Sequence, residues 1–394
     1  MTCAQDAFIN VRIAHIVILP SQRHLFDIPD DICYLNCAYM SPQMHAVRDA
    51  GLQAVSAKSR PWQITPHDFF ADSETSRELF ARLVGGDAGG VAIIPSVSYG
   101  MAIAAANVEV RAGQCILVLE EQFPSHVYQW MELAAERGAE LVTVRRPADD
   151  DWTAALLEHI DASTALAAVP NCHWTDGSLI DLVRIGGALR DVGAALVVDA
   201  TQSLGAYPLN VADIKPDFLV AATYKWLLGP YSLGFLYAGE KHRSGKPIEH
   251  NWIARSGSEN FGGLVEYKSS FQPGARRYDM GERSNFALLP MALAAMRQIL
   301  DWEVSNIAET IGGLSRRIET RASRLGIAAT PSERRVPHLL GLRVGSGDSA
   351  DIAGRLAAAN VYVSVRGDRL RVAPHLYNSS NDIDRFFAVL EEIV

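Results

Sequence analysis

The chain has 394 residues, room for two or three domains at the usual ~150 residues each. Its 45 acidic and 36 basic side chains leave a formal net charge of −9, and no Lys/Arg cluster stands out, which argues against nucleic acid or an anionic membrane surface as a partner. Hydrophobic residues at 48% and charged residues at 21% exclude intrinsic disorder and allow a core without disulfide or metal staples.

Residues 1–28 read as an arm that packs on something. Their most apolar stretch, Ile13–Pro20, is broken by His15 and is shorter than the ~20 residues of a spanning helix; no secretory pattern is evident. From there the chain alternates. Seven strand-length runs rich in Val, Ile and Leu lie at Val91–Ile94, Cys115–Leu119, Leu141–Val144, Ala165–Val169, Ala195–Val198, Phe218–Ala221 and Gly234–Tyr237. Helical patterns at Ser98–Asn107, Ser125–Arg137, Trp152–His159 and Leu182–Val192 separate most of them. Apolar strands alternating with helices predict βαβ units and a mainly parallel sheet covered on both faces. The expected large α/β domain covers residues 29–265. From 275 to 394 the pattern becomes that of a smaller α+β domain: one long helix from Leu288 towards Leu325, strands at Leu339–Val344, Val361–Val365 and Arg369–Val372, and a closing helix at Asp382–Ile393. The five cysteines, Cys3, Cys33, Cys37, Cys115 and Cys172, form neither a disulfide framework nor a zinc hook, so the expectation is no metal and a reducing, cytoplasmic setting.

Ligands of open α/β sheets sit at the carboxyl ends of strands, and chemistry-bearing groups follow several runs. Asp199 closes Leu196-Val197-Val198, with Gln202 three residues on; taken alone, Asp199 reads equally as a cap for a following helix. Lys225 follows Phe218-Leu219-Val220-Ala221 and stands between Tyr224 and Trp226, 26 residues after Asp199. A lysine that forms a Schiff base must be partly neutral, through desolvation or a neighbouring cation. A buried carboxylate on the adjacent strand is what the ring nitrogen of pyridoxal phosphate needs to act as an electron sink.

Val-Val-Asp-Ala-Thr-Gln-Ser-Leu-Gly at 197–205 followed by Tyr-Lys-Trp-Leu-Leu-Gly-Pro at 224–230 resembles the class V aminotransferase family. That resemblance implies the pyridoxal-phosphate-dependent transferase fold type I, a homodimer, pyridoxal 5'-phosphate as cofactor and a small amino acid as substrate. It begins at Tyr34-Leu35-Asn36-Cys37-Ala38 and ends at Arg369-Leu370-Arg371-Val372-Ala373-Pro374-His375-Leu376-Tyr377-Asn378. It implies Lys225 as the catalytic Schiff-base lysine. Asp199 and Gln202 would bind the cofactor ring and Phe123 would stack on it, where desulfurases have His. Asn171 would lie near its phenolic oxygen, and Val97 and Ser98 would hold its phosphate at a helix start. Thr223 is a second phosphate hydroxyl on this reading, and Gly281 belongs to a segment that reaches a neighbouring subunit's phosphate. Arg371 would take the substrate carboxylate in two-point contact, with Asn36, His173 and Trp174 as further substrate-binding residues; His173 reads equally well as structural, and Arg369 shares the face of Arg371. Residues 361–371 contain no cysteine, which counts against persulfide-forming desulfuration. The nominal reaction is transamination; Cβ-elimination, epimerisation and a non-catalytic scaffold role are the alternatives.

Overall fold

The computed structural model describes residues 16–344 and 349–394. In chain order its elements are β1 (Cys33–Tyr34), α1 (His45–Ala57), α2 (Ala71–Val84), β2 (Val91–Ile94), α3 (Val97–Ala105), β3 (Cys115–Leu119), α4 (Tyr128–Arg137), β4 (Glu140–Val144), α5 (Trp152–His159), β5 (Thr164–Pro170), α6 (Leu182–Asp191), β6 (Ala195–Asp199), α7 (Val211–Ile214), β7 (Phe218–Ala222) and β8 (Gly234–Ala238). They are followed by α8 (Leu288–Trp302), α9 (Val304–Arg324), β9 (Ala328–Ala329), β10 (Leu340–Arg343), α10 (Ser349–Ala358), β11 (Val361–Tyr362), β12 (Ser364–Arg366), β13 (Arg369–Val372) and α11 (Ser380–Leu390).

Seven strands form the main sheet in the order β2-β8-β7-β6-β5-β3-β4. Only β8 runs against its neighbours β2 and β7. Strand side chains alternate between faces, and here both faces are buried. Ile116, Val118, Val197 and Val220 pack under α3 and α4 with Met101, Ile103 and Trp130. Leu117, Leu119, Val198 and Leu219 join the opposite core with Phe80, Leu293 and Met296 from α2 and α8. Double burial explains why these strands read as continuous apolar runs. The fold is thus the mainly parallel α/β type expected.

A four-stranded sheet, β12-β13-β10-β9, packs on α9, α10 and α11 around Leu340, Leu342, Leu370, Val372, Ile318, Leu356 and Phe386. Its details depart from the sequence pattern at two places. The long helix from Leu288 breaks at Glu303, whose φ of 62° lies in the left-handed region; a right-handed ladder cannot continue through such a residue. The predicted strand at 361–365 divides, because β11 pairs with β1 while β12 turns to β13. Of the N-terminal arm, residues 1–15 lie outside the described residues. The stretch from Val17 to Leu19 lies along α9: the Val17 N–H donates to Asn306 Oδ1 (2.9 Å) and the Leu19 N–H to Thr310 Oγ1 (3.0 Å). Among the described residues no helix is long and apolar enough to cross a membrane.

Candidate active site

The carboxyl ends of β2, β3, β5, β6 and β7 converge on a cavity of about 220 Å³. Its lining includes Ser96, Val97, Ser98, Phe123, His126, Cys172, Trp174, Asp199, Gln202, Tyr224 and Lys225. Each follows a buried strand, so the hydrophobic alternation that builds the sheet also places the polar groups.

Asp199 is buried at the end of β6, and its Oδ1 accepts the Thr201 N–H at 2.9 Å. That bond closes a turn instead of capping a helix: residues 201–206 form consecutive turns. Within them Gly205, at φ +100°, passes the next loop so closely that a Cβ would stand 2.4 Å from the Trp226 carbonyl oxygen. Gln202 ties three segments together. Its Oε1 accepts from Trp226 Nε1 (2.9 Å) and its Nε2 donates to the Ala38 carbonyl (3.1 Å).

Lys225 stands in the loop between β7 and β8. Thr223 closes that loop: its hydroxyl lies 2.6 Å from the Pro230 carbonyl and 3.0 Å from that of Leu233, and its carbonyl accepts the Gly229 N–H. Lys225 is 7% exposed, and its Nζ stands 5.4 Å from the Phe123 ring centroid and 5.3 Å from that of Tyr224. Burial first, then the Arg371 guanidinium, push its amine down to about 8 against the opposing pull of Asp199. The neutral fraction near neutral pH is therefore far larger than that of an exposed lysine, as a nucleophilic amine requires.

At the other end of the cavity α3 begins. Ser96 caps it, its Oγ accepting the Tyr99 N–H at 3.2 Å, and Ser98 Oγ lies 2.9 Å from Ser96 Oγ. The Val97 and Ser98 N–H groups open the helix, where no intrahelical acceptor exists and the dipole favours an anion. Phe123 and Trp174 meet edge to face at 5.4 Å. Behind Trp174 lies Arg371, 1% exposed, whose Nη1 donates to the Trp174 carbonyl (3.0 Å) while Nε and Nη2 are buried without a partner among the described residues. Burial and then the charge of Arg366 push its guanidinium below the ordinary value. A guanidinium stays charged, so an arriving carboxylate relieves this cost. Asn36 lies beside it, its Oδ1 accepting from Ser364 Oγ at 2.6 Å, and Ser364 pairs with Arg371 across the sheet. Arg369 is different: it is ion-paired with Asp176.

Val97, Ser98, Phe123, Trp174, Asp199, Gln202 and Lys225 thus line one cavity, with Arg371 against the cavity-lining Trp174 and Asn36 bonded to Ser364, the residue opposite Arg371. Three expected residues are placed elsewhere, and Gly281, expected to reach a neighbouring subunit's phosphate, lies outside this cavity. Thr223 turns its hydroxyl into its own loop, as above, so it does not offer a phosphate contact. Asn171 faces a different surface hollow with Leu179 and Ile180, its Nδ2 donating to the Ile180 carbonyl at 3.3 Å; alternation along the chain gives the cavity Pro170 and Cys172 instead. His173 is fully buried, bonded to Thr175 Oγ1 (2.7 Å) and the Glu120 carbonyl (3.0 Å) and stacked on Trp152. It is structural. Gly281 sits behind α3, where a Cβ would meet Glu249 Oε1 at 2.1 Å, and Glu249 accepts from Tyr99 Oη.

Sequence reasoning missed His126. Its ring lines the cavity, both nitrogens are buried without a partner among the described residues, and burial pushes it down to about 4, which favours the neutral ring. The available signal was its position three residues after Phe123, past the same strand. Cys172 also lines the cavity, but its thiol donates to the Gln202 carbonyl (3.3 Å), and burial, followed by the Asp176 charge, raises it. Such a thiol is a poor nucleophile.

The family described as Aminotransferase class-V matches residues 55–386. An uncharacterized aminotransferase of Bacillus subtilis is 26% identical over 326 residues, 79% of this chain and 81% of the relative. The isopenicillin N epimerase of Streptomyces clavuligerus is 25% identical, covering 81% and 83%. Among solved structures, a cysteine desulfurase of Thermococcus onnurineus superposes with a TM-score of 0.80 at 19% identity, over 96% of this chain and 99% of its own. The cystine C-S lyase bound to cysteine persulfide gives 0.82 at 18% identity, over 92% and 97%.

Proposed function

Since the chain belongs to the class V aminotransferase family, an assignment carried by the match over residues 55–386, we propose that it is a pyridoxal-phosphate-dependent enzyme acting at Cα of a small amino acid, with transamination as its reaction. The observation that carries this reading is a buried lysine with a lowered pKa between an acidic strand end and a helix start, with a buried arginine that has no carboxylate partner among the described residues behind the cavity-lining Trp174. The residues fit the cofactor. Lys225 is the amine that would hold it, the Asp199 carboxylate suits the ring nitrogen, and Phe123 offers an aromatic face. Ser98 Oγ and the Val97 and Ser98 amides suit the phosphate dianion.

When bound, pyridoxal phosphate supplies an electron sink for charge developing at the substrate Cα. The rest is the work of side chains. Arg371 binds the α-carboxylate through its free Nε and Nη2, fixing which Cα bond faces the cavity. Lys225, neutral in part at working pH, takes the Cα proton as general base. His126, neutral and unpartnered, offers one donor and one acceptor beside Asp199. Trp174 and Phe123 exclude water from this side. The short β12–β13 turn carries no cysteine, and the Cys172 thiol is raised by burial, which supports transamination over desulfuration.

The test compares the purified protein with Lys225→Ala. Wild type should show a visible absorption band that borohydride bleaches, and with a 2-oxo acid acceptor it should convert an amino acid into its 2-oxo acid. Lys225→Ala should lose turnover by ~10²–10⁴-fold or more. Racemised substrate, or sulfide and pyruvate released without an acceptor, would replace transamination by epimerisation or Cβ-elimination. A borohydride-sensitive band retained in Lys225→Ala would overturn the lysine assignment.

A further inference from the structure

The hairpin β12–β13 carries three arginines on one face. The strands are antiparallel, with Ser364 opposite Arg371 and Arg366 opposite Arg369. Opposed residues share a face, and period-two alternation adds Arg366 to the face of Ser364. Arg369 is neutralised by Asp176, which also pairs with Arg146 at 2.7 Å. Neither Arg371 nor Arg366 has a carboxylate partner among the described residues. Arg366 spends Nη1 on the Val365 carbonyl (2.6 Å), and its Nε is buried without a partner. Its guanidinium carbon lies 5.2 Å from the centroid of Trp174, the cavity-lining ring that Arg371 approaches to 5.9 Å.

One guanidinium satisfies one α-carboxylate. A second, held beside the same ring and half-buried, costs desolvation and repels the first unless a second anion arrives. Arg366 is half-buried where Arg371 is inaccessible, so it stays open to a ligand that extends past Trp174. Building on the amino-acid reading above, we propose that Arg366 is a specificity-determining residue that binds a side-chain carboxylate, so that the preferred substrates are acidic, dicarboxylic amino acids.

The test is calorimetric binding of L-glutamate, L-aspartate and their amides, L-glutamine and L-asparagine, to the cofactor-loaded protein, wild type beside Arg366→Gln and Arg366→Lys. Acid and amide differ in charge and hardly in shape. Wild type should bind an acid ~10-fold or more tighter than its amide, the size of a charge-assisted hydrogen bond. Arg366→Gln should abolish that preference by weakening the acids and leaving the amides within ~2-fold. Arg366→Lys should restore part of it, and unchanged visible spectra and unfolding midpoints should show the variants intact. Equal weakening of acids and amides in Arg366→Gln, or no preference in wild type, would overturn the proposal and leave the amino-acid reading standing. No binding of any of the four to wild type would overturn both.

Discussion

Two buried, arginine-rich regions of this molecule are built on opposite principles. Around Asp279, three guanidiniums from two segments are each within 3.3 Å of a carboxylate. Arg77 reaches Asp279 at 2.5 Å, Arg283 reaches Asp279 at 3.1 Å and Glu74 at 3.3 Å, and Arg276 pairs with Glu74. Asp279 also accepts the Ile93 N–H at 2.9 Å, and Arg77 donates to the Val91 carbonyl, so this clamp ties α2 and the 274–283 segment to the edge strand β2. Burial opposes ionisation of Glu74, but its bond to Arg276 and the surrounding arginine charges push it down to about 2. Lys225 shares the cavity lining with Asp199, and the two arginines against the cavity-lining Trp174, Arg366 and Arg371, touch no carboxylate among the described residues. Where charge holds the fold together, the chain supplies the counter-ions; where it does not, the function proposed above has the missing anion come from outside. That difference separates structural from ligand-binding arginines better than burial does, since Arg77, Arg283 and Arg371 are all nearly inaccessible.

The largest effect should come from breaking the clamp. Asp279→Ala leaves Arg77 and Arg283 short of a partner in the interior and should cost about 3–5 kcal/mol of stability, read as a lower denaturation midpoint. The protein that remains folded should keep its visible spectrum and its affinity for amino acids. A loss below ~1 kcal/mol would put the clamp in the class of exposed pairs and erase the contrast. Arg371→Gln should do the reverse. Amino-acid dissociation constants should rise ~30-fold, about 2 kcal/mol, while stability holds or improves, because a buried cation with no carboxylate partner among the described residues has been removed. Destabilisation with unchanged affinity would make Arg371 a second clamp.

How much of this was legible in the sequence depends on what physics each feature obeys. Cys115–Leu119, Trp152–His159 and Arg369–Val372 have the bounds their apolar patterns indicate, because burial of a strand or helix face is written locally. The break at Glu303 was not legible, since α8 and α9 carry the same apolar period on both sides of it. The division at 361–365 depends on which partner each half finds. In the site, the rule that ligands lie past strand ends located Asp199, Lys225, Phe123 and Ser98. It says where a residue sits, not where its side chain points. Thr223, Asn171 and His173 satisfy the rule and still turn away, each drawn by acceptors that only the fold supplies: Pro230 and Leu233, Ile180, and Glu120. The same limit hid Arg366, whose meaning rests on its register opposite Arg369.

The finest test of the cation-rich wall is the proton on Lys225. Only the free amine reacts, so the rate at which cofactor-depleted protein takes up pyridoxal phosphate should climb ~10-fold per pH unit below the amine's pKa and level off above it. In wild type the midpoint should fall at about 8. Burial is the largest cause of that value, followed by repulsion from Arg371, attraction to Asp199 and repulsion from Arg366. Charge sets the sign for each variant. A neighbouring cation disfavours the protonated amine, so Arg371→Gln should move the midpoint up by up to ~1 unit, and Arg366→Gln should move it the same way by less. A neighbouring carboxylate favours the protonated amine, so Asp199→Asn should move the midpoint down. Shifts in that order and of those signs would place both arginines in the electrostatic field of the reacting amine. A midpoint that stays fixed in all three variants would mean that burial alone sets the Lys225 pKa and that the wall of arginines acts only on ligands.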